Sequence, residues 1–238
     1  MMKTVSKKID NSTSLVFLTG AGISKESGIP TFRDHDGLWK TYDPAKLASY
    51  SSFITNPKLV WEFFHDRQKS ISTKEPNKAH FAISEIELLK KSWLLTQNID
   101  GLHSKAGTKN IIELHGNIFN VKCINCLRKE VLDINAEIPP LCRDCGSILK
   151  PDVILFEETL DMDNWDTAIN LVSSCDVMVI IGTSLEVGPV NTLPNIAYKN
   201  NSFLIEINPQ DTWFTPYADF SFRYSGSIIL PKIVELLK

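Results

Sequence analysis

Four of the five cysteines fall in two close pairs, Cys123 with Cys126 and Cys142 with Cys145, and fifteen residues separate the pairs. Two intervening residues let one tight turn present both thiolates to a metal, and two such turns complete a tetrahedron. This is zinc-ribbon spacing. With all four positions filled by protein thiolates, none stays open for water or substrate, so one structural zinc is expected rather than a catalytic one. The alternative is four free thiols or two disulfides, which the doubled pattern disfavours. Cys175, beside an apolar run, reads as a core residue and not as a fifth ligand.

A second pattern is Gly20-Ala21-Gly22-Ile23-Ser24, directly after the apolar run Leu15–Thr19. Glycines at a strand-to-helix turn let the backbone approach a phosphate while its N–H groups face the anion. The third glycine of the dinucleotide fingerprint is missing, since Lys25 stands in its place and the next glycine is Gly28. On spacing alone the loop is equally an ordinary turn. Arg33, after Pro30-Thr31-Phe32, is a cation suited to a pyrophosphate or simply a solvated arginine. Asn98 and Asp100 follow an apolar run, where open α/β sheets place their ligands, although both types also cap helices.

These residues need elements to hold them. Leu15–Thr19, 93–96, Val177–Ile181 and Phe203–Ile207 are short apolar runs bounded by polar residues or glycine, the pattern of buried parallel strands. Between them Leu59, Phe63, Ala79, Ala82, Ile83, Ile86 and Leu89 recur at helical spacing, and residues 228–237 form a further helix. Strands alternating with helices predict an α/β fold, a Rossmann-like parallel sheet with helices on both faces, plus a small zinc-ribbon module. The expected large domain spans residues 10–115 and 155–238. The zinc module spans about 116–154, and part of 34–80 forms a helical small-domain segment.

Composition narrows the function classes. The chain has 238 residues, 43% hydrophobic and 22% charged, which is globular and long enough for a sizeable core. A net charge of −3 argues against an affinity built on nucleic-acid phosphates. The longest apolar run is five residues, against roughly 20 needed to span a bilayer, so no membrane partner is expected. Paired cysteines in a reducing compartment point to the cytoplasm.

Taken together, Gly20-Ala21-Gly22-Ile23-Ser24 with Gly28-Ile29-Pro30-Thr31-Phe32-Arg33, the run Thr96-Gln97-Asn98-Ile99-Asp100-Gly101-Leu102-His103, and Leu114-His115-Gly116 resemble the signatures of the sirtuin family. Gly182-Thr183-Ser184-Leu185 and Ile207-Asn208 follow at the ends of later runs. The resemblance covers about Leu15 to the last helix. It implies an NAD-dependent protein lysine deacylase, which cleaves NAD between nicotinamide and ribose and moves the acyl group onto the ribose. The products are lysine, nicotinamide and 2′-O-acyl-ADP-ribose.

On the same resemblance His115 is the general base, a role that needs a neutral imidazole. Asp100 holds the nicotinamide carboxamide, Asn98 orders the ribose and water, and Gln97 contacts ribose hydroxyls. Gly20, Ala21, Gly22, Ile23, Phe32, Arg33, Gly182, Thr183, Ser184, Asn208 and Gly226 complete the NAD site. The acylated lysine of a protein substrate enters as a strand between residues 153–158, with Val153 and Phe156, and residues 186–189, with Val187. The family commonly has Phe-Gly-Glu where this chain has Phe156-Glu157-Glu158.

Ala48, Phe64 and Arg67 resemble the pocket of members that prefer malonyl, succinyl and glutaryl chains, with Phe64 in place of their tyrosine. Three-residue spacing sets Phe64 and Arg67 on one helix face. A solvated Arg67 paired with Glu62 or Asp66 is the alternative. Other readings stay open: a mono-ADP-ribosyltransferase or lipoyl-type deacylase on the same NAD site, and a non-catalytic NAD-sensing module. A dehydrogenase is disfavoured by the missing third glycine.

Overall fold

Runs of four or five apolar residues are too short for helices, and each of those singled out above becomes a strand. The computed structural model describes residues 1–31, 37, 41 and 43–238; Phe32 and Arg33 lie outside the described residues. In chain order these form α1 (Met2–Asp10), β1 (Leu15–Thr19), α2 (Pro44–Leu47), α3 (Tyr50–Thr55), α4 (Pro57–Ser72), α5 (Lys78–Leu89), β2 (Ser92–Thr96), α6 (Leu102–Lys105) and β3 (Ile111–Glu113). Then come β4 (Gly116–Cys123), β5 (Lys129–Val131), β6 (Leu149–Val153), α7 (Met162–Ser174), β7 (Val177–Ile181), α8 (Leu193–Lys199), β8 (Phe203–Ile207), β9 (Phe220–Phe222) and α9 (Gly226–Leu237).

Six strands make one sheet in the order β3-β2-β1-β7-β8-β9, all parallel. Within that sheet alone the order is 3-2-1-4-5-6, which is the doubly wound dinucleotide-binding arrangement. The chain works outward from β1 to β3, then returns to the other side of β1 as β7. The crevice that ligands use in such sheets lies between the carboxyl ends of β1 and β7.

Every residue of β1 and β7 is buried, because helices cover both faces. Alternate side chains of these strands enter different cores. Phe17 and Val179 pack with Ile83 and Ile86 of α5 and Ile233 of α9, whereas Leu18 and Ile180 pack with Val172 of α7 and Ala197 of α8. Among the described residues no helix is long and apolar enough to cross a membrane.

A second, antiparallel sheet, β5-β4-β6, carries the third core. Helix α4 lies against it through Phe64 and Trp61, with Trp61 Nε1 donating to the Leu149 carbonyl at 2.8 Å and Gln68 Nε2 donating to the Ile118 carbonyl at 2.5 Å. An indole N–H or amide buried here would otherwise forfeit its hydrogen bond to water. These two anchors fix the rotation of α4, and with it the faces that carry Phe63, Phe64 and Arg67.

Candidate active site

Five strands of the large sheet deliver residues to one cleft from their carboxyl ends: Gly20 after β1, Gln97 after β2, His115 two residues past β3, Gly182 after β7 and Asn208 after β8. The cleft holds about 830 Å³ and is lined also by Ala21, Gly22, Asn98, Thr183, Ser184 and Val187. That volume lies within the range of small-molecule and cofactor sites.

The glycines have a packing role that the sequence did not disclose. A Cβ on Gly20 would lie 2.7 Å from Thr183 Cβ, one on Gly22 would lie 2.8 Å from the Gly182 carbonyl oxygen, and one on Gly182, at φ +58°, would lie 2.5 Å from the Ile23 nitrogen. The two loops therefore meet backbone to backbone. Gly20 N–H donates to Ile181 at 3.1 Å and Gly22 N–H to Gly182 at 2.8 Å. Neither of these two amides is left for an anion, so a phosphate at this loop would have to be met by other groups.

Beside this loop lies a buried polar network. Asn77 N–H donates to His80 Nδ1 at 3.2 Å, so the neutral ring carries its proton on Nε2, which faces Ser24 Oγ at 3.3 Å. Ser24 Oγ also accepts from Asn98 Nδ2 at 3.1 Å and donates to Asp100 Oδ2 at 2.7 Å, while Leu102 N–H donates to Asp100 Oδ1 at 2.9 Å. Every proton in the chain has one place to be. Burial lowers His80 to about 4, which keeps it neutral, and burial pushes the Asp100 carboxyl up against the opposing bonds from Ser24 and Leu102.

His115 is set by Gln97. Its Nδ1 lies 3.1 Å from the Gln97 carbonyl oxygen. A carbonyl only accepts, so Nδ1 holds the proton and Nε2 of the neutral ring keeps its lone pair, with no partner among the described residues. Burial lowers the His115 pKa, partly opposed by that bond. Gln97 is itself fixed, with Nε2 donating to Thr183 Oγ1 at 2.9 Å and its N–H to Thr19 at 2.9 Å. Gly116, at φ +80°, must be glycine: a Cβ would lie 2.0 Å from the Asp152 carbonyl oxygen. This close approach brings β6 alongside His115, whose carbonyl accepts from Ile154 N–H at 2.9 Å.

A groove of about 400 Å³ adjoins the cleft, lined by Ala48, Phe64, Val153, Phe156 and Val187, among others. His115, Gln97, Glu186 and Val187 line both spaces. Arg67 does not line the groove. It borders a small cavity of about 30 Å³ with Phe63, Phe64, Asn98 and Asp100, and a more open recess with Glu62 and Asp66. Gly226 is buried against Ile181 and Ala79 at the start of α9, and Ile23 is a core residue; neither lines the cleft.

The four paired cysteines converge. All four Sγ atoms lie within 4.8 Å of one another, and the thiols are unbridged. Cys123 and Cys145 Sγ are 3.4 Å apart, Cys126 and Cys142 Sγ 3.6 Å, close to the edge of about 3.8 Å that a tetrahedral Zn–S₄ site requires. The N–H groups of Asn125 and Cys126 both donate to Cys123 Sγ at 3.4 Å. The donor set fits a zinc ion.

A sequence profile of the Sir2 family matches residues 20–189. The chain belongs to the Sir2 family, the sirtuins. It is 46% identical to NAD-dependent protein deacylase 1 of Caldanaerobacter subterraneus subsp. tengcongensis over 98% of both chains. It is 44% identical to the NAD-dependent protein deacylase of Pyrococcus furiosus, over 100% of this chain and 98% of that one. Among solved structures, a Sir2 homologue in complex with NAD superimposes with a TM-score of 0.92 at 42% identity, covering 99% of this chain and 93% of that one.

Within this sirtuin, sequence reading missed Ser24 as a hub and His80 altogether. His80 sits on an otherwise apolar helix face, and its only local signal is the capping box it forms with Asn77 at the start of α5. The missed His103 stacks on His80 at 4.7 Å between ring centroids and meets Thr19 Oγ1 at 3.1 Å.

Proposed function

We propose that this sirtuin is an NAD-dependent protein lysine deacylase, and one observation carries the reading: His115 stands where the cleft and the groove meet, with its Nε2 lone pair free. NAD occupies the cleft between the ends of β1 and β7, held by Gly20, Ala21, Gly22, Gln97, Thr183, Ser184 and Asn208. Nicotinamide lies toward Asn98 and Asp100. The acylated lysine enters the groove between Val153–Phe156 on one side and Val187 on the other.

The acyl oxygen attacks the anomeric carbon of NAD, and nicotinamide leaves with the electrons of the broken bond. His115 Nε2 takes a proton from a ribose hydroxyl, whose oxygen then attacks the former acyl carbon. Addition of one water releases lysine and leaves 2′-O-acyl-ADP-ribose. The four cysteines would hold one structural zinc that braces β4 and β6, and no chemical step passes through it. On this reading residues 10–115 and 155–238 bind NAD, and residues 116–154 form the zinc module. Four reduced thiols suit the cytoplasm.

A second reading concerns the acyl chain. Phe63 and Phe64 line both the groove and the small cavity that Arg67 borders, so a chain passing them approaches a guanidinium. This favours succinyl or malonyl chains beside acetyl. The opposing fact is size, because about 30 Å³ holds one water and not a carboxylate, so Phe64 must turn aside.

The test is nicotinamide release, measured with NAD alone and with NAD plus an acetyl-lysine peptide. Release that requires the peptide supports the reading, and release of equal rate without it sinks the reading.

A further inference from the structure

Phe156 is followed by two glutamates that point to different partners. Glu158 Oε2 accepts from Lys150 Nζ at 2.9 Å and from Leu155 N–H at 2.8 Å, tying the end of β6 to its own loop. Glu157 reaches the other way. Its carboxylate accepts from Ser51 N–H at 2.9 Å and from Ser51 Oγ at 3.0 Å, on the first turn of α3. Ser51 Oγ lies 3.2 Å from Ser49 Oγ, and Ser49 caps α3 by accepting from Ser52 N–H at 3.2 Å and donating to the Ala45 carbonyl at 2.6 Å.

The same two segments are joined by backbone. Phe156 N–H donates to Ala48 at 2.8 Å and Tyr50 N–H to Phe156 at 3.0 Å, and both Ala48 and Phe156 line the groove. Glu157 achieves its position at φ +78°, where a non-glycine residue is strained. The sirtuin pattern commonly has glycine at this point, which would meet the turn without strain but offer nothing to Ser51.

We infer that Glu157 is a positioning residue for substrate: by clamping α3 to the groove strand it fixes the separation of Ala48 and Phe156, and so sets affinity for the acylated peptide without touching NAD. The inference rests on the proposed deacylase reading of the same groove.

The experiment compares wild type, Glu157→Gly and Glu157→Gln. Binding of a fluorescent acetyl-lysine peptide in the presence of ADP-ribose gives Kd, and steady-state assays give KM and kcat. Glu157→Gly should raise peptide Kd and KM about five-fold, with kcat and the KM for NAD held within about two-fold. Glu157→Gln should recover most of the loss, because its amide oxygen still accepts from Ser51. Unchanged peptide Kd in Glu157→Gly overturns the inference. So does a fall in kcat and NAD affinity in step with peptide affinity, which would mark a general structural role. A wild type that binds peptide yet releases no nicotinamide removes the deacylase reading while the binding comparison still decides for or against the clamp. A wild type that binds no peptide overturns both.

Discussion

His115 Nδ1 and the Gln97 carbonyl oxygen stand 3.1 Å apart, and this contact decides which ring nitrogen can act as a base. His115→Ala should lower deacylation by about 10²-fold or more, the usual contribution of a positioned general base, with NAD binding largely retained. The pH profile carries a sign. Burial lowers the His115 pKa, so the base stays unprotonated below the ordinary value of about 6.5, and the acid limb of kcat/KM should fall below that pH. A limb above 6.5, or near wild-type turnover in His115→Ala, would remove His115 from the mechanism.

His80 predicts a stability change in acid. Its folded pKa of about 4 lies below the unfolded value of 6.5, so between these the unfolded chain binds the extra proton. The contribution is complete above about pH 6.5 and is lost as the pH falls toward 4, on the order of 3 kcal/mol in total. Buried His103 is lowered in the same direction, by burial and then by His80. Denaturant unfolding at pH 7 and pH 4.5 should show the loss in wild type and a smaller one in His80→Gln. An equal loss in the variant would place the acid sensitivity elsewhere.

Metal removal should unfold the smaller sheet first. Cys123 is buried at the end of β4 and Cys142 is buried in the segment leading to β6; β4 and β6 also carry the wall beside His115, so zinc binding is coupled to their order. Cys142→Ala should lose stoichiometric zinc by atomic absorption and melt at lower temperature. A variant that keeps its metal and its melting temperature would contradict the four-thiolate site.

Acyl selectivity turns on Arg67. If a succinyl chain reaches the cavity that Arg67 borders, a charge-assisted hydrogen bond there contributes about 1.5 to 3 kcal/mol when desolvated. Arg67 is partly exposed, so a drop of about ten-fold in the succinyl-to-acetyl ratio of kcat/KM is expected in Arg67→Ala. Phe64→Tyr should raise the ratio. An unchanged ratio in Arg67→Ala would make Arg67 a structural residue of α4.

The large sheet was legible because burial on both faces leaves uninterrupted apolar runs, as in Leu15–Thr19 and Val177–Ile181. The cysteines were legible because ligand spacing is local. The short strands Ile111–Glu113 and Phe220–Phe222 gave no such run, being three residues long. The Ser24, His80 and Asp100 network joins residues 56 and 76 positions apart, and no local pattern encodes that meeting. Nor did spacing separate two uses of glycine: Gly20 and Gly22 fit a phosphate loop, yet their contacts with Gly182 and Thr183 already require them. The left-handed Leu127 at φ +61° and Gly146 at φ +73° occupy equivalent places after the two cysteine pairs, and only glycine announced its conformation.

The most direct measurement of the central claim is the fate of the acyl group. Mass spectrometry of wild type incubated with NAD and an acetyl-lysine peptide should find nicotinamide, deacetylated peptide and O-acetyl-ADP-ribose in equal amounts. Free acetate with NAD unconsumed, or a peptide that gains ADP-ribose and keeps its acetyl group, would contradict the account.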